Sequence, residues 1–260
     1  RKEANDIAIT ISRLIMMGTN PNHIAILVRT SAQTRNFEEA FIAESISYRV
    51  IGGLRFYEGK EIKDIIAYFR IAFNIDDNLA FERIINVPKR GIGDQTIKKI
   101  KEYSLINNIS MLRSAKRMIE ENILKGKIIK EISHLIESII KWNNLFDKIH
   151  HHDIASAIIE ESGYNDMLKK EKSEESRSRR ENIRELLRVV SDSPSMKEFL
   201  EHISLVMEKE VTIDNELVNI MTLHAAKGLE FDVVFLPGWE EGIFPHQKSL
   251  NENGEAGLEE

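Results

Sequence analysis

Apolar positions recur at helical spacing through residues 4–17, where Ala4, Ile7, Ala8, Ile11, Leu14 and Ile15 share one face. Gly18-Thr19-Asn20-Pro21 ends that helix. Ile24-Ala25-Ile26-Leu27-Val28 then reads as a strand, because an unbroken apolar, β-branched run suits a strand buried on both faces. Thr30 to Glu44 reads as a second helix with Phe37, Ala40 and Phe41 on one face. Tyr48-Arg49-Val50-Ile51 is a short strand broken by Gly52-Gly53. The order helix, strand, helix, strand predicts a parallel α/β layer.

From Leu54 to Asn215 the alternation that marks strands disappears and helical periodicity takes over. Helices are predicted over Ile62–Phe73, Leu79–Ile85, Thr96–Ile106, Ile128–Ile149, Ile154–Leu168, Arg179–Val190 and Met196–Val206. The polar stretch from Lys170 to Ser178 reads as an exposed loop or a helix start. Strand character returns with Val218-Asn219-Ile220-Met221-Thr222 and again with Val233-Val234-Phe235-Leu236, which Pro237-Gly238 ends. An α/β layer that opens the chain, yields to helices and then resumes implies an insertion. The expected organisation is an α/β, parallel-sheet domain in two segments, 1–53 and 215–260, interrupted by an all-helical subdomain, 54–214.

Composition narrows the chemistry. The 260 residues carry a net charge of −6, which argues against a surface coated in basic residues but leaves room for a local basic strip. There are no cysteines, so disulfide frameworks, thiolate metal sites and cysteine nucleophiles are excluded. No apolar run approaches the roughly 20 residues that span a bilayer, and Arg1-Lys2-Glu3-Ala4 does not open a signal peptide. No membrane partner and a cytoplasmic setting are expected. With an opening that lacks methionine and a close at Gly257-Leu258-Glu259-Glu260, the chain is expected to be an internal piece of a longer protein.

Five segments carry candidate chemistry. In Thr222-Leu223-His224-Ala225-Ala226-Lys227-Gly228-Leu229-Glu230-Phe231, small residues follow a strand and let backbone approach a ligand. Lys227 is a point charge for phosphate and Glu230 an acceptor for a ribose hydroxyl; a plain strand-end turn is the other reading. Arg29 stands just past a strand, where α/β sheets bind ligands, and Thr30 or Ser31 also suits a helix N-cap. Gly52-Gly53 followed by Phe56-Tyr57 suits a hinge with an aromatic anchor. Gly91-Ile92-Gly93, opening a helix, presents bare backbone N–H groups to a phosphate, and Lys89 and Arg90 add charge. The run from Lys169 to Arg180 mixes Arg177, Arg179 and Arg180 with Glu171, Glu174 and Glu175, as a solvated helix face also would. His150-His151-His152 reads as a surface loop, since three adjacent residues do not all face one ion. Trp142 falls in a helical run and reads as core.

These segments resemble the UvrD/Rep/PcrA helicases of superfamily 1. Thr222 to Phe231, followed by Val233-Val234-Phe235-Leu236-Pro237-Gly238-Trp239 and Phe244-Pro245-His246, is similar to that family's motif V and its continuation. The string Tyr48-Arg49-Val50-Ile51-Gly52-Gly53-Leu54-Arg55-Phe56-Tyr57-Glu58, then Glu61-Ile62-Lys63-Asp64, resembles the family's exit from its motor domain. Pro88-Lys89-Arg90-Gly91-Ile92-Gly93-Asp94-Gln95-Thr96 resembles its duplex-contacting loop, and Arg179, Glu181, Asn182, Glu185 and Leu186 match a further string of the inserted domain. The resemblance implies a RecA-like motor domain with a duplex-handling insertion.

It further implies that Lys227, Gly228 and Glu230 face ATP. Arg29, Ser31, Thr222, His224 and His246 would lie along single-stranded DNA; Ser31 replaces the family's usual Asn. Lys89, Arg90, Gly91, Ile92, Gly93, Thr96, Arg177, Arg179 and Arg180 would lie near duplex DNA. Rotation of the insertion is expected about hinges near Gly53 and Asp214. No G-x-x-x-x-G-K-[ST] loop occurs in the chain. The resemblance therefore implies that ATP and Mg²⁺ serve the parent protein, with the Mg²⁺ ligands on the first motor domain, which is an expected partner alongside DNA. The chain alone is expected to lack ATPase activity. A subunit of a helicase–nuclease and a non-catalytic DNA-binding module are the alternatives.

Overall fold

The computed structural model describes residues 2–51, 56–146, 148–208 and 216–238. The chain divides into two compact units, Arg1–Glu58 with Val206–Glu260, and Gly59–Leu205. The expected boundaries at Gly53 and Asp214, with both expected hinges, lie outside the described residues.

In the first unit, helix α1 (Lys2–Met16) is followed by strand β1 (Ile24–Val28), helix α2 (Thr34–Ala43) and strand β2 (Tyr48–Ile51). Strands β3 (Val218–Thr222) and β4 (Val233–Phe235) come from the far end of the sequence. All four form one parallel sheet in the order β2-β3-β1-β4. β3 therefore lies between β1 and β2, with Ala25 opposite Asn219 on one side and Arg49 opposite Asn219 on the other. Residues 24–51 and 217–237 meet in one sheet, as an interrupted RecA-like domain requires.

Helices α1 and α2 supply Ala4, Ala8, Ile11, Phe37, Ala40 and Phe41 to a core shared with Ile24, Ile26, Val28, Val218 and Ile220. Period-two alternation puts those strand residues on one face, and the helical stripes cover it. Gly18, at φ 95°, closes α1: the Thr19 amide reaches back to the Leu14 carbonyl at 3.0 Å. The central strand also holds a buried polar residue. Asn219 donates from Nδ2 to the carbonyls of Asn22 (2.8 Å) and Ile24 (3.0 Å), and its Oδ1 accepts from Arg49 Nε at 2.7 Å. Every polar atom of that amide is thereby engaged where an unpaired one would be costly.

The second unit is helical throughout its described residues: α3 (Lys60–Phe73), α4 (Asn78–Ile84), α5 (Asp94–Asn107), α6 (Met111–Glu120), α7 (Ile128–Asn143), α8 (His151–Glu161), α9 (Tyr164–Lys170), α10 (Glu174–Asp192) and α11 (Met196–Glu208). Its centre is α3, which buries Ile62, Ile65, Tyr68, Phe69 and Ile71 and packs against α4, α7, α8 and α10. Two carboxylates are buried on the same helix, each with donors. Glu61 accepts from Asn182 Nδ2 at 2.7 Å, and Asp64 accepts from Arg83 Nε at 2.8 Å and the Tyr164 hydroxyl at 2.9 Å. Burial first, and the Asp64 charge second, push the Tyr164 hydroxyl far above its usual range, so it stays a neutral donor.

The helices of this unit differ most from their predicted spans in four places. The segment expected as one helix over Ile154–Leu168 is two, because Gly163 adopts φ 75° and breaks the ladder. α7 stops at Asn143, whose side chain turns to the Ala72 and Phe73 carbonyls. α6 was absent from the predicted spans. α10 begins five residues before Arg179, at Glu174, capped by Ser173, whose hydroxyl accepts the Ser176 amide. Among the described residues no helix is long and apolar enough to cross a membrane.

Candidate nucleotide and nucleic-acid interfaces

The sheet unit gathers its candidate residues at one edge. β1 and β3 are parallel neighbours with Val28 opposite Thr222, so the segments that leave them emerge side by side. The Leu223 amide donates to the Val28 carbonyl at 3.0 Å and extends the pairing one step past β3. Beyond it the chain winds into a tight turn. Thr222 Oγ1 accepts from the Ala225 amide at 3.3 Å, its carbonyl accepts from Ala226 at 3.1 Å, and Leu229 donates to the Ala226 carbonyl at 3.0 Å. Gly228 occupies φ 84°, which a side chain would strain. Thr222 is half-buried, while His224, Lys227, Gly228 and Glu230 are exposed.

Arg29 is exposed at the end of β1. Its amide and that of Thr30 both donate to one acceptor, Gln33 Oε1, at 2.8 and 3.1 Å. This side-chain clasp closes a 3₁₀ turn over Ser31–Gln33, so α2 starts at Thr34, four residues after the predicted start. Gln33 also lies against Gly238, where a Cβ would come within 3.3 Å of its Nε2. Among the described residues Arg29, Lys227 and Glu230 make no ion pair. The result is a rim with two cations and one carboxylate unpaired among the described residues, an imidazole and a glycine-bent backbone. That donor set fits one wall of a site for phosphate and a hydroxylated ring. No group of three His, Asp or Glu among the described residues is placed to hold a metal ion. His246 and Trp239 lie outside the described residues.

The helical unit presents a different surface. Asn86 Oδ1 accepts from the amides of Arg90 (2.8 Å) and Ile92 (3.2 Å), folding residues 86–92 into a closed loop. Ile92 is wholly buried and plugs the loop into the core. Gly91, at φ 74°, and Gly93 remain exposed on either side. Gly93 is the N-cap of α5, with its carbonyl accepting from Thr96 (2.9 Å) and Ile97 (3.2 Å). The first amides of α5 have no partner within the helix, and the helix dipole adds to their pull on an anion. Lys89 is exposed beside them and Thr96 is half-buried.

Arg90 departs from the outward pair expected with Lys89. Its guanidinium turns inward and donates from Nη1 to the carbonyls of Ile84 (2.9 Å), Ile85 (3.3 Å) and Pro88 (3.3 Å). Nη2 donates to the Tyr68 hydroxyl (2.6 Å) and the Ser162 carbonyl (3.5 Å). Both Nη groups are thus taken by protein acceptors, which leaves the outer end of the fork without a donor for a phosphate. On α10, Arg177 is exposed. Arg179 is paired with Glu175 and, at 3.8 Å, with Glu171, and the partly buried Arg180 keeps its Nε without a hydrogen-bond partner.

The UvrD-like helicase C-terminal domain family matches the chain over residues 1–260. The chain belongs to this family. DNA helicase II of Rickettsia typhi (strain ATCC VR-144 / Wilmington) is 51% identical over 263 residues, covering 100% of this chain and 40% of the relative. ATP-dependent DNA helicase PcrA of Staphylococcus aureus (strain MRSA252) is 38% identical over 271 residues, covering 100% of this chain and 37% of the relative. PcrA of Staphylococcus epidermidis (strain RP62A) gives the same figures. The chain thus spans about two-fifths of the length of these relatives.

In this UvrD-like chain several residues that shape the candidate surfaces carry no sequence signal of their own. Gln33 and Asn86 act through one side-chain carbonyl each, holding two amides apiece. Asn182, which matches a family string, faces inward to Glu61. The three histidines expected in a surface loop open a helix. His150 caps α8 and His151 Nε2 meets the Val190 carbonyl at 2.9 Å. Trp142 is core, wholly buried with its Nε1 donating to Glu161 at 2.7 Å.

Proposed function

We propose that this UvrD-like chain is the second motor domain, with its inserted helical subdomain, of an ATP-dependent 3′-to-5′ DNA helicase. The observation that carries the reading is the seating of β3 between β1 and β2. It lets two loops far apart in sequence share one sheet edge, where parallel α/β sheets bind ligands. Relatives named DNA helicase II and ATP-dependent DNA helicase support the same reading.

On this reading Lys227 and Gly228 meet the phosphates of ATP and Glu230 accepts from its ribose. Arg29, Ser31, Thr222, His224 and His246 track the single strand. Lys89, the glycine-flanked backbone of Gly91-Ile92-Gly93 and Thr96 grip duplex phosphate, and Arg177, Arg179 and Arg180 lie along it. When bound, Mg²⁺ supplies charge neutralisation at the transferring phosphate, and its ligands come from the first motor domain of the parent. The residues of this chain bind and orient: an exposed lysine pulls on phosphate charge without chemistry of its own, and a rim arginine tethers the strand.

A single wall of a two-domain cleft does not align Mg²⁺, water and phosphate together. The 260-residue chain is therefore expected to release no inorganic phosphate from ATP, with or without single-stranded DNA. A polypeptide carrying the first motor domain should restore release, and Lys227→Ala should reduce it. DNA-stimulated turnover by the chain alone would overturn the assignment.

A further inference from the structure

The cation beside the exposed Gly91–Gly93 loop does not face outward. Arg90 sits where four elements end or meet. Its fork takes the Ile84 and Ile85 carbonyls at the C-terminus of α4 and the Pro88 carbonyl within the loop. It also takes the Tyr68 hydroxyl on α3 and the Ser162 carbonyl at the C-terminus of α8. Helix C-termini carry partial negative charge and unpaired carbonyls, so a guanidinium is well matched to both. The Tyr68 hydroxyl passes the linkage on by donating to the Val87 carbonyl. Tyr68 itself is wholly buried. The Arg90 amide is fixed as well, on Asn86 Oδ1. Ile92, two residues on, is wholly buried, so the loop is pinned on both sides of Gly91.

We propose that Arg90 is a positioning residue, not a phosphate contact: it socket-mounts the loop, whose Arg90 and Ile92 amides are taken by Asn86, so that the amides of Gly91, Gly93 and Asp94 are presented together. The inference rests on the duplex-gripping role proposed above. It assigns the charge attraction at this loop to Lys89 alone and the shape of the grip to Arg90. Only a planar fork reaches all five acceptors; a lysine in its place keeps the charge and loses the geometry.

Three substitutions separate the roles. The probe is a short fluorescein-labelled blunt DNA duplex, titrated with the 260-residue chain at several salt concentrations. Lys89→Ala should weaken binding and lower the slope of log K against log salt by about 0.9. Arg90→Lys should weaken binding about tenfold or more, although it conserves charge. Tyr68→Phe cannot touch DNA, yet should weaken binding severalfold with the salt slope unchanged. Amide hydrogen exchange at Ile92, measured without DNA, should quicken in Arg90→Lys and Tyr68→Phe but not in Lys89→Ala. If Arg90→Lys and Tyr68→Phe bind duplex and exchange as the parent chain does, the proposal is wrong. If none of the proteins binds duplex but exchange at Ile92 still follows the pattern above, the positioning role stands and the duplex reading falls. Should Arg90→Lys fail to fold, Tyr68→Phe carries the same decision.

Discussion

Two arginines show how differently the two units build a surface. Arg29, at the end of β1, leaves its side chain in solvent and has its backbone held by Gln33. Arg90, beside a glycine-rich loop, buries its guanidinium among carbonyls and leaves the backbone nearby exposed. The sheet unit thus offers charged side chains on a fixed backbone, and the helical unit offers backbone on a fixed side chain. A strand end already has its amides paired in the sheet, so only side chains remain to project. A helix start has amides to spare, so the backbone itself can meet an anion there.

The comparison can be broken most forcefully in the cores. Phe41→Ala in the sheet unit and Phe69→Ala in the helical unit each empty a wholly buried site. Each should cost about 3–5 kcal/mol, and hydrogen exchange should localise the loss to the unit that holds the residue. Uniform loss across both units would mean that they do not fold separately.

Glycine substitutions sharpen it next. Gly91→Ala forces a side chain into φ 74° and should destabilise by about 1–2 kcal/mol in urea melts. Gly93 has ordinary φ and open space where a methyl would sit, so Gly93→Ala should be nearly neutral in stability. Equal costs would show that the loop geometry is not what holds the helical surface.

At the sheet rim, Arg29→Ala should lower the salt slope of single-strand binding by about 0.7, since one phosphate neutralisation is lost. Gln33→Met, which removes the acceptor of two amides and no charge, should weaken the same binding with the slope unchanged. A slope change in Gln33→Met would place charge, not backbone order, behind its effect.

The smallest effect is one of pH. Burial raises Glu161, but hydrogen bonds from Lys141 and Trp142 outweigh it, and the net shift is below its ordinary value of 4.5. A carboxyl held low when folded contributes stability above its unfolded value and loses it as pH falls through the folded one. The stability difference between the parent chain and Glu161→Gln should therefore be full near neutral pH and shrink below about 4.5. An unchanging difference would remove Glu161 from the account.

Much of the sheet was legible beforehand because apolar, β-branched runs have few other uses. Ile24–Val28, Tyr48–Ile51 and Val218–Thr222 match the strands residue for residue. Their assembly into one sheet followed from the change of periodicity near residues 54 and 215. Three features were not legible for physical reasons. A glycine such as Gly163 in an apolar helical run is tolerated or breaks the helix according to contacts that the run does not contain. Asn219 within a strand reads as a weak point until Arg49 and the Asn22 and Ile24 carbonyls surround it. Arg90 next to Lys89 reads as surface, because the Ser162 carbonyl it reaches is 72 positions away.

The late arrival of β3 bears on how the protein is made. Asn219 pairs across 195 positions with Ile24, so β1 and β2 emerge from the ribosome long before the strand that joins them. Until then their inner edges are unsatisfied and invite pairing with other nascent chains. The helical unit, whose contacts are complete by Leu205, can condense first. Synthesis thus leaves the half-built sheet waiting on a finished bundle, and any shielding by chaperones would be needed in that interval.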